Sequence, residues 1–178
     1  LENIHPAFDK ACHYFNIKLK KVPIDKTGTS SINKIKQYID SNTICLIASA
    51  PSYPHGIIDN ILDMNTLVLE KKINFHIDCC MGGMLIPFLE NLSYINFNLK
   101  GITSISVDTH KYGYTFKGSS VILYRSNNIQ KYQFCIQKNW NGGIYATPTL
   151  LGSKSGALIA TCWASLLYLG KNKYRERS

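Results

Sequence analysis

The 178-residue sequence lacks several patterns that would place it quickly in a class of protein. None of its six cysteines forms a CxxC pair, which disfavours a tight disulfide framework and a zinc ribbon. No apolar run reaches the roughly 18 residues that a helix needs to cross a bilayer, and no secretory leader is visible. The first residue is not methionine, so we expect the chain to be a fragment of a longer polypeptide.

The cysteines lie mostly within apolar stretches, as reduced and buried thiols do. They are Cys12, Cys45, Cys79, Cys80, Cys135 and Cys162. This distribution favours a reducing compartment and therefore a cytosol-facing chain. Attachment to a membrane would then require a segment that these 178 residues do not contain.

Acidic residues are few relative to basic ones, so the chain is strongly positive. The chain has 20 lysines and arginines against 11 acidic residues, a net charge of +9. A nucleic-acid-binding protein would concentrate this charge in a stripe with interleaved aromatics, whereas the lysines here are spread along the chain. We therefore expect no nucleic-acid partner, and an anionic or phosphorylated ligand remains compatible with the charge.

The apolar pattern predicts an α/β domain with a mainly parallel sheet in three layers. Helical spacing of apolar residues occurs at 6–17, 31–39, 59–72 and 153–170. Strand-like runs occur at 17–24, 43–48, 73–77, 102–107, 121–124 and 132–136. Two of them, 43–48 and 73–77, are continuously apolar, which is typical of strands buried on both faces.

The stretch 104–120, SISVDTHKYGYTFKGSS, combines a strand, a polar tip and a glycine-containing turn. It places His110 and Lys111 at the mouth of the sheet, where sites are usually built. A lysine there is either a solvated surface cation or a nucleophile whose pKa is lowered by burial or nearby cations. Because lysines are mostly exposed, this stretch alone does not identify a site.

Ligands of an open α/β sheet bind beyond the carboxyl ends of its strands. Three strand ends bring chemistry to that edge: Tyr53 with His55, Asp78, and His110 with Lys111. A carboxylate and a lysine on neighbouring strand ends suit pyridoxal phosphate. The lysine holds the aldehyde, and the carboxylate pairs with the protonated ring nitrogen. His5, at a loop-to-helix junction, would stack on the ring, although a lone histidine there is more often a cap or a surface residue.

The sequence His76-Ile77-Asp78-Cys79-Cys80 also raises the possibility of a metal site. Alternation along a strand directs His76 and Asp78 to one face and Cys79 to the other. No spacing for a fourth ligand is present, so we expect no metal.

Three strings resemble the pyridoxal-phosphate carboxy-lyase family, and within it the sphingosine-1-phosphate lyases. They are HIDCCMGG, SISVDTHKYGYTFKGSSVILYRS and NWNGGIYATPTLLGSKSGALIATCWASLLYLG. The resemblance implies the large domain of a fold-type I enzyme for 1–148, with 149–178 leading toward a small domain. It also implies cleavage of a phosphorylated sphingoid base to a long-chain aldehyde and phosphoethanolamine.

The same resemblance implies roles for particular residues. Lys111 would form the Schiff base with pyridoxal phosphate, and Asp78 would pair with the pyridine nitrogen. His5 would stack on the cofactor ring, and His110 would lie beside the cofactor and its phosphate.

Three further positions follow from the resemblance. Tyr53 and Lys117 would lie near the substrate phosphate or the proton-transfer site. Thr147 replaces the usual serine of a segment that, in a homodimer, reaches the cofactor phosphate of the other subunit. Cys79 stands where relatives often have alanine.

Two other functions stay open. One is an amino-acid decarboxylase of the same family. The other is a non-catalytic fragment or pseudoenzyme, because the Gly-Thr-rich phosphate loop expected before His5 and the small domain are both absent. Eukaryotic members of the family carry an endoplasmic-reticulum anchor, with the catalytic part facing the cytosol.

Overall fold

A computed structural model describes all 178 residues, with a four-stranded sheet at its centre. The strands, in spatial order, are β1 (Cys45–Ser49), β2 (Asn74–Asp78), β3 (Ser104–Val107) and β4 (Val121–Tyr124). The first three are parallel, and β4 runs antiparallel to β3. The predicted mainly parallel sheet is confirmed.

The helices are α1 (Ala7–Tyr14), α2 (Ile32–Tyr38), α3 (Ile61–Lys71), α4 (Asn127–Gln130) and α5 (Gly156–Glu176). Single 3-10 turns lie at Gly82–Met84, Ile86–Phe88 and Lys131–Gln133. The starts of two helices follow from capping. Ser31 accepts a hydrogen bond from the Lys34 N–H before α2, and Asn60 accepts one from Asp63 before α3. None of these helices is long and apolar enough to cross a membrane.

Helices cover both faces of the sheet. Phe75 and Ile77 of β2 lie in one buried cluster with Met64 and Leu67 of α3. On the opposite face α1 packs against β2, where the rings of Phe8 and His76 lie 5.9 Å apart. The structure therefore has the three layers that the sequence pattern predicts.

The strand predicted at 17–24 is wrong. This segment joins no sheet, because Val22 and Ile24 form their backbone hydrogen bonds with Glu2 instead of with a neighbouring strand. The Glu2 N–H donates to Val22 at 2.9 Å, and Ile24 donates to the Glu2 carboxylate at 2.9 Å. The segment instead lines an apolar cavity of about 620 Å³ between α1, α2 and β1.

The C-terminal part differs from the prediction in two ways. Residues predicted as a strand at 132–136 begin as a 3-10 turn. The strand itself, β5 (Cys135–Trp140), pairs with β6 (Gly143–Thr147) in a separate two-stranded sheet. Helix α5 continues past its predicted end at 170, with a break at Gly170 (φ 61°, ψ 174°).

We expect Phe75→Ala to destabilise the protein by about 3–5 kcal/mol, because it empties a fully buried site in the core. Chemical denaturation would measure this. The control is Phe116→Ala, since the side chain of Phe116 is 70% exposed. Equal losses of unfolding free energy in the two variants would contradict this description of the core.

Candidate active site

The site begins where β2 and β3 end side by side. Their parallel register places Asp78 opposite Ser106. Asp78 is 7% exposed, and its Oδ1 accepts hydrogen bonds from Ser106 Oγ and the Cys80 N–H, both at 3.0 Å. Both hydrogen bonds go to Oδ1, which leaves Oδ2 available to another donor.

The turn after β3 carries the basic residues. The Lys111 N–H donates to the Asp108 carbonyl at 3.2 Å and closes the first part of the turn. A Cβ at Gly113 would lie 2.2 Å from the Thr109 carbonyl oxygen, so only glycine fits there. His110 Nδ1 lies 2.6 Å from the Ser119 carbonyl oxygen, which ties the turn to the far side of the loop.

The amine of Lys111 has two partners. It lies 3.0 Å from Asp108 Oδ2 and donates to Cys80 Sγ at 3.1 Å. Burial lowers the pKa of Lys111, but the hydrogen bonds to Asp108 and Cys80 raise it, and the net shift is upward. The lowered pKa that a nucleophilic lysine requires is thus absent from this structure, because an anion and not a cation lies beside the amine.

Asp108 is the anion that holds this amine. Burial raises the pKa of its carboxyl, but hydrogen bonds from Ser120 and Lys111 outweigh burial and hold the pKa below its ordinary value. Ser120 Oγ donates at 2.6 Å, and His110 Nε2 lies 3.7 Å from Asp108 Oδ2. Sequence reasoning missed Asp108. Its position three residues before Lys111, in the same turn, is the sequence feature that could have indicated this ion pair.

The two cysteines after β2 occupy different environments. Burial raises the pKa of the Cys79 thiol to about 12 and that of Cys80 to about 11, and the Asp78 carboxylate adds to both shifts. Both thiols are therefore protonated and neutral at physiological pH in this structure. Cys79 lies in the hydrophobic core, while Cys80 contacts Asp78 and Lys111.

The face predicted for His76 is confirmed. His76 Nδ1 lies 2.8 Å from Ser104 Oγ, on the same face as Asp78 and Ser106. Burial lowers the pKa of His76, although Asp78 opposes the shift, so the ring is neutral at physiological pH.

His5 is exposed in the structure and lies just before the start of α1. Its Nδ1 accepts a hydrogen bond from the Ala7 N–H at 3.1 Å. Helix α1 lies over the face of β2 that carries Asp78, through the contact of Phe8 with His76. No hydrogen bond or ion pair joins His5 to Asp78 or Lys111.

No hydrogen bond or ion pair joins Tyr53, Lys117 or Thr147 to Asp78 or Lys111 in this structure. Tyr53 is 74% exposed in the loop after β1, and Lys117 is exposed in the loop before β4. Thr147 is buried in β6, where its hydroxyl lies 3.2 Å from the Leu151 carbonyl oxygen. The structure thus brings Asp78, His110 and Lys111 to one edge and leaves the other three separate.

A layered α/β domain with a carboxylate and a lysine at adjacent strand ends defines a class of cofactor-dependent enzyme, and sequence comparison agrees. The model of the pyridoxal-dependent decarboxylase conserved domain matches residues 2–146. The chain therefore belongs to the pyridoxal-dependent decarboxylase family, whose cofactor is pyridoxal phosphate.

Within this family, the chain is similar to sphingosine-1-phosphate lyases. It is 47% identical to sphingosine-1-phosphate lyase 1 of Rattus norvegicus over 98% of the chain and 32% of that protein. It is 44% identical to the lyase of Arabidopsis thaliana over 99% of the chain and 33% of that protein. The chain thus spans about a third of the length of these relatives.

A solved structure shows the same likeness in three dimensions. The sphingosine-1-phosphate lyase of Burkholderia pseudomallei superposes with a TM-score of 0.94 at 39% identity. The match covers 98% of this chain and 41% of that one.

The residues present fit pyridoxal phosphate. Asp78 Oδ2 is available to a protonated ring nitrogen, while Ser106 and Cys80 orient the carboxylate through Oδ1. The Lys111 side chain is 33% exposed, so its amine is accessible to an aldehyde.

We expect Asp108→Asn to lower the pKa of Lys111, because it removes the anion that favours the ammonium form. Because the pKa of Lys111 is raised, this ion pair stabilises the folded protein fully at pH values below the ordinary pKa of lysine. That contribution is lost as pH rises through the folded-state pKa. The pH dependence of Lys111 labelling by an amine reagent, read by mass spectrometry, would measure the shift.

The matched control is Glu90→Gln, which removes a carboxylate from an exposed position. It should leave the labelling curve of Lys111 unchanged. An Asp108→Asn curve that overlays the wild-type curve would show that Asp108 does not govern this amine.

Proposed function

We propose that the chain forms the core of a pyridoxal-phosphate-dependent lyase acting on phosphorylated sphingoid bases. The products would be a long-chain aldehyde and phosphoethanolamine. The observation that carries the proposal is the placement of Asp78 and Lys111 at the ends of β2 and β3, in a chain 47% identical to a sphingosine-1-phosphate lyase. Residues 1–148 would belong to the cofactor-binding large domain, and 149–178 would lead to a small domain.

Four residues would hold the cofactor. Asp78 Oδ2 would accept a hydrogen bond from the ring nitrogen, and Lys111 would bind the aldehyde. His5 would stack on the ring, and His110 would lie near the cofactor phosphate. When bound, pyridoxal phosphate supplies an electron sink for the bond that breaks.

The chain's own residues prepare this chemistry. Ser106 and the Cys80 N–H orient the Asp78 carboxylate, and a buried, oriented anion favours the protonated form of a ring nitrogen beside it. Lys111 must lose a proton before it can attack an aldehyde. The ion pair with Asp108, at 3.0 Å, therefore has to open when the cofactor enters.

Two exposed residues would recognise the substrate phosphate. Lys117 would act as a point charge toward it, and Tyr53 would contact it or take part in proton transfer. Both project from loops beyond the ends of sheet strands, on either side of the Asp78 strand. The net charge of +9 also favours an anionic substrate.

Thr147 would serve the second subunit of a homodimer by contacting the cofactor phosphate there. The surroundings of β6 and α5 support a subunit interface, because large apolar side chains are exposed on β5, β6, α5 and the segment that joins β6 to α5. They include Trp140, Ile144, Leu150, Leu151, Trp163 and Leu167.

We also propose that the protein works in a reducing, cytosol-facing compartment. All six cysteines are free thiols, and the two beside Asp78 remain protonated. Attachment to the endoplasmic reticulum would come from a segment beyond these residues.

The proposal predicts that pyridoxal phosphate becomes attached to Lys111. The complete protein would be incubated with the cofactor, reduced with borohydride, digested and mapped by mass spectrometry. Lys111→Ala should abolish the labelled peptide, while Lys117→Ala should retain it. A label on another lysine would contradict the role of Lys111, and no label at all would favour a non-catalytic module.

A second prediction separates the lyase from an amino-acid decarboxylase. The wild-type protein should release aldehyde from a phosphorylated sphingoid base and no carbon dioxide from aromatic or acidic amino acids. Lys117→Ala should weaken use of the phosphorylated substrate by about 10–100-fold, the usual value of a hydrogen bond to a charged group. Decarboxylation without aldehyde release would favour the alternative.

A further inference from the structure

Tyr174 links the end of α5 to the turn that carries Lys111. It is the buried residue of this helix, at 5% exposure. Its hydroxyl donates to the Gly113 carbonyl oxygen at 2.7 Å, two residues beyond Lys111. The neighbours of Tyr174 in the sequence, within 171–178, are all polar or charged. The burial of Tyr174 therefore does not continue the apolar face of the earlier part of α5.

Aromatic packing holds Tyr174 in this position. Its ring stacks with Phe88 at 6.2 Å and an interplanar angle of 10°, and it lies 6.3 Å from the ring of Tyr114. The guanidinium of Arg177 lies 5.1 Å from the Tyr114 ring. Burial raises the pKa of Tyr174, so its hydroxyl stays protonated and able to donate.

The break in α5 makes this contact possible. At Gly170 the backbone leaves the helical conformation, with φ 61° and ψ 174°, and the following residues turn toward Gly113. Near its start the same helix meets the other side of the loop, because a Cβ at Gly118 would lie 3.0 Å from Leu158. Helix α5 therefore contacts the loop on both sides of Lys117.

The turn needs such support. Tyr114 has a φ of 56°, the left-handed region that non-glycine residues rarely adopt. Gly113 approaches the Thr109 carbonyl too closely for any side chain. Strained backbone of this kind persists where the surrounding structure over-determines it.

We propose that Tyr174 is a positioning residue for Lys111, whose hydroxyl holds the 111–114 turn from outside the site. This rests on the proposed role of Lys111 in binding pyridoxal phosphate. The hydrogen bond fixes the Gly113 carbonyl, and with it the direction in which the Lys111 side chain leaves the turn. It thereby maintains the contacts of the amine with Asp108 and Cys80.

The test is Tyr174→Phe in the complete protein, which removes the hydroxyl and keeps the stacking ring. The control is Tyr168→Phe on the same helix, where the side chain is 78% exposed. In cofactor-free Tyr174→Phe protein, the pH midpoint for labelling of Lys111 by an amine reagent should fall toward the ordinary pKa of lysine. The reason is that the contacts with Asp108 and Cys80, which raise this pKa, become looser. Affinity for pyridoxal phosphate should fall about twofold to tenfold, as for one lost hydrogen bond.

The inference would be overturned if Tyr174→Phe had the same Lys111 labelling midpoint and the same affinity for pyridoxal phosphate as the wild type and Tyr168→Phe. Global unfolding of Tyr174→Phe would also overturn it, since Tyr174 would then support the whole domain. If wild type takes no cofactor at Lys111, the proposed function fails separately. The cofactor-free labelling midpoint still tests Tyr174 in that case.

Discussion

The parallel pairing of β2 with β3 is the constraint on which the site depends. In this register Asp78 lies opposite Ser106 on one face, while Ile77 and Ile105 lie opposite each other on the other face and join the core. A slip of one residue would exchange the two faces and bury the carboxylate among apolar side chains. Hydrophobic burial, which stabilises the sheet, therefore also fixes the position of the acid.

A second constraint is electrostatic. Without cofactor, Asp108 and Cys80 hold Lys111 as an ammonium ion, and Ser120 holds Asp108 as an anion. The arrangement pairs the charges of Lys111 and Asp108, but it is not one in which an amine attacks an aldehyde. Under the proposed function, binding of pyridoxal phosphate would therefore rearrange the Lys111 side chain, while Asp78 already has one oxygen oriented by its neighbours.

Local patterns predicted the fold well where burial alone decides structure. The continuous apolar run at 43–48 and the run ending at Asp78 became β1 and β2. The alternating run at 17–24 did not become a strand, because periodicity does not show whether a partner strand exists. Asp78, His110 and Lys111 could be predicted as strand-end residues, whereas Cys80 and Tyr174 depend on contacts between distant segments that no local pattern records.

The most direct test of the account is a crystal structure of the complete protein grown with pyridoxal phosphate. We predict a covalent link between Lys111 Nζ and the aldehyde carbon of the cofactor, with Asp78 Oδ2 within hydrogen-bonding distance of the ring nitrogen. A cofactor bound elsewhere, or a ring nitrogen with no contact to Asp78, would contradict it.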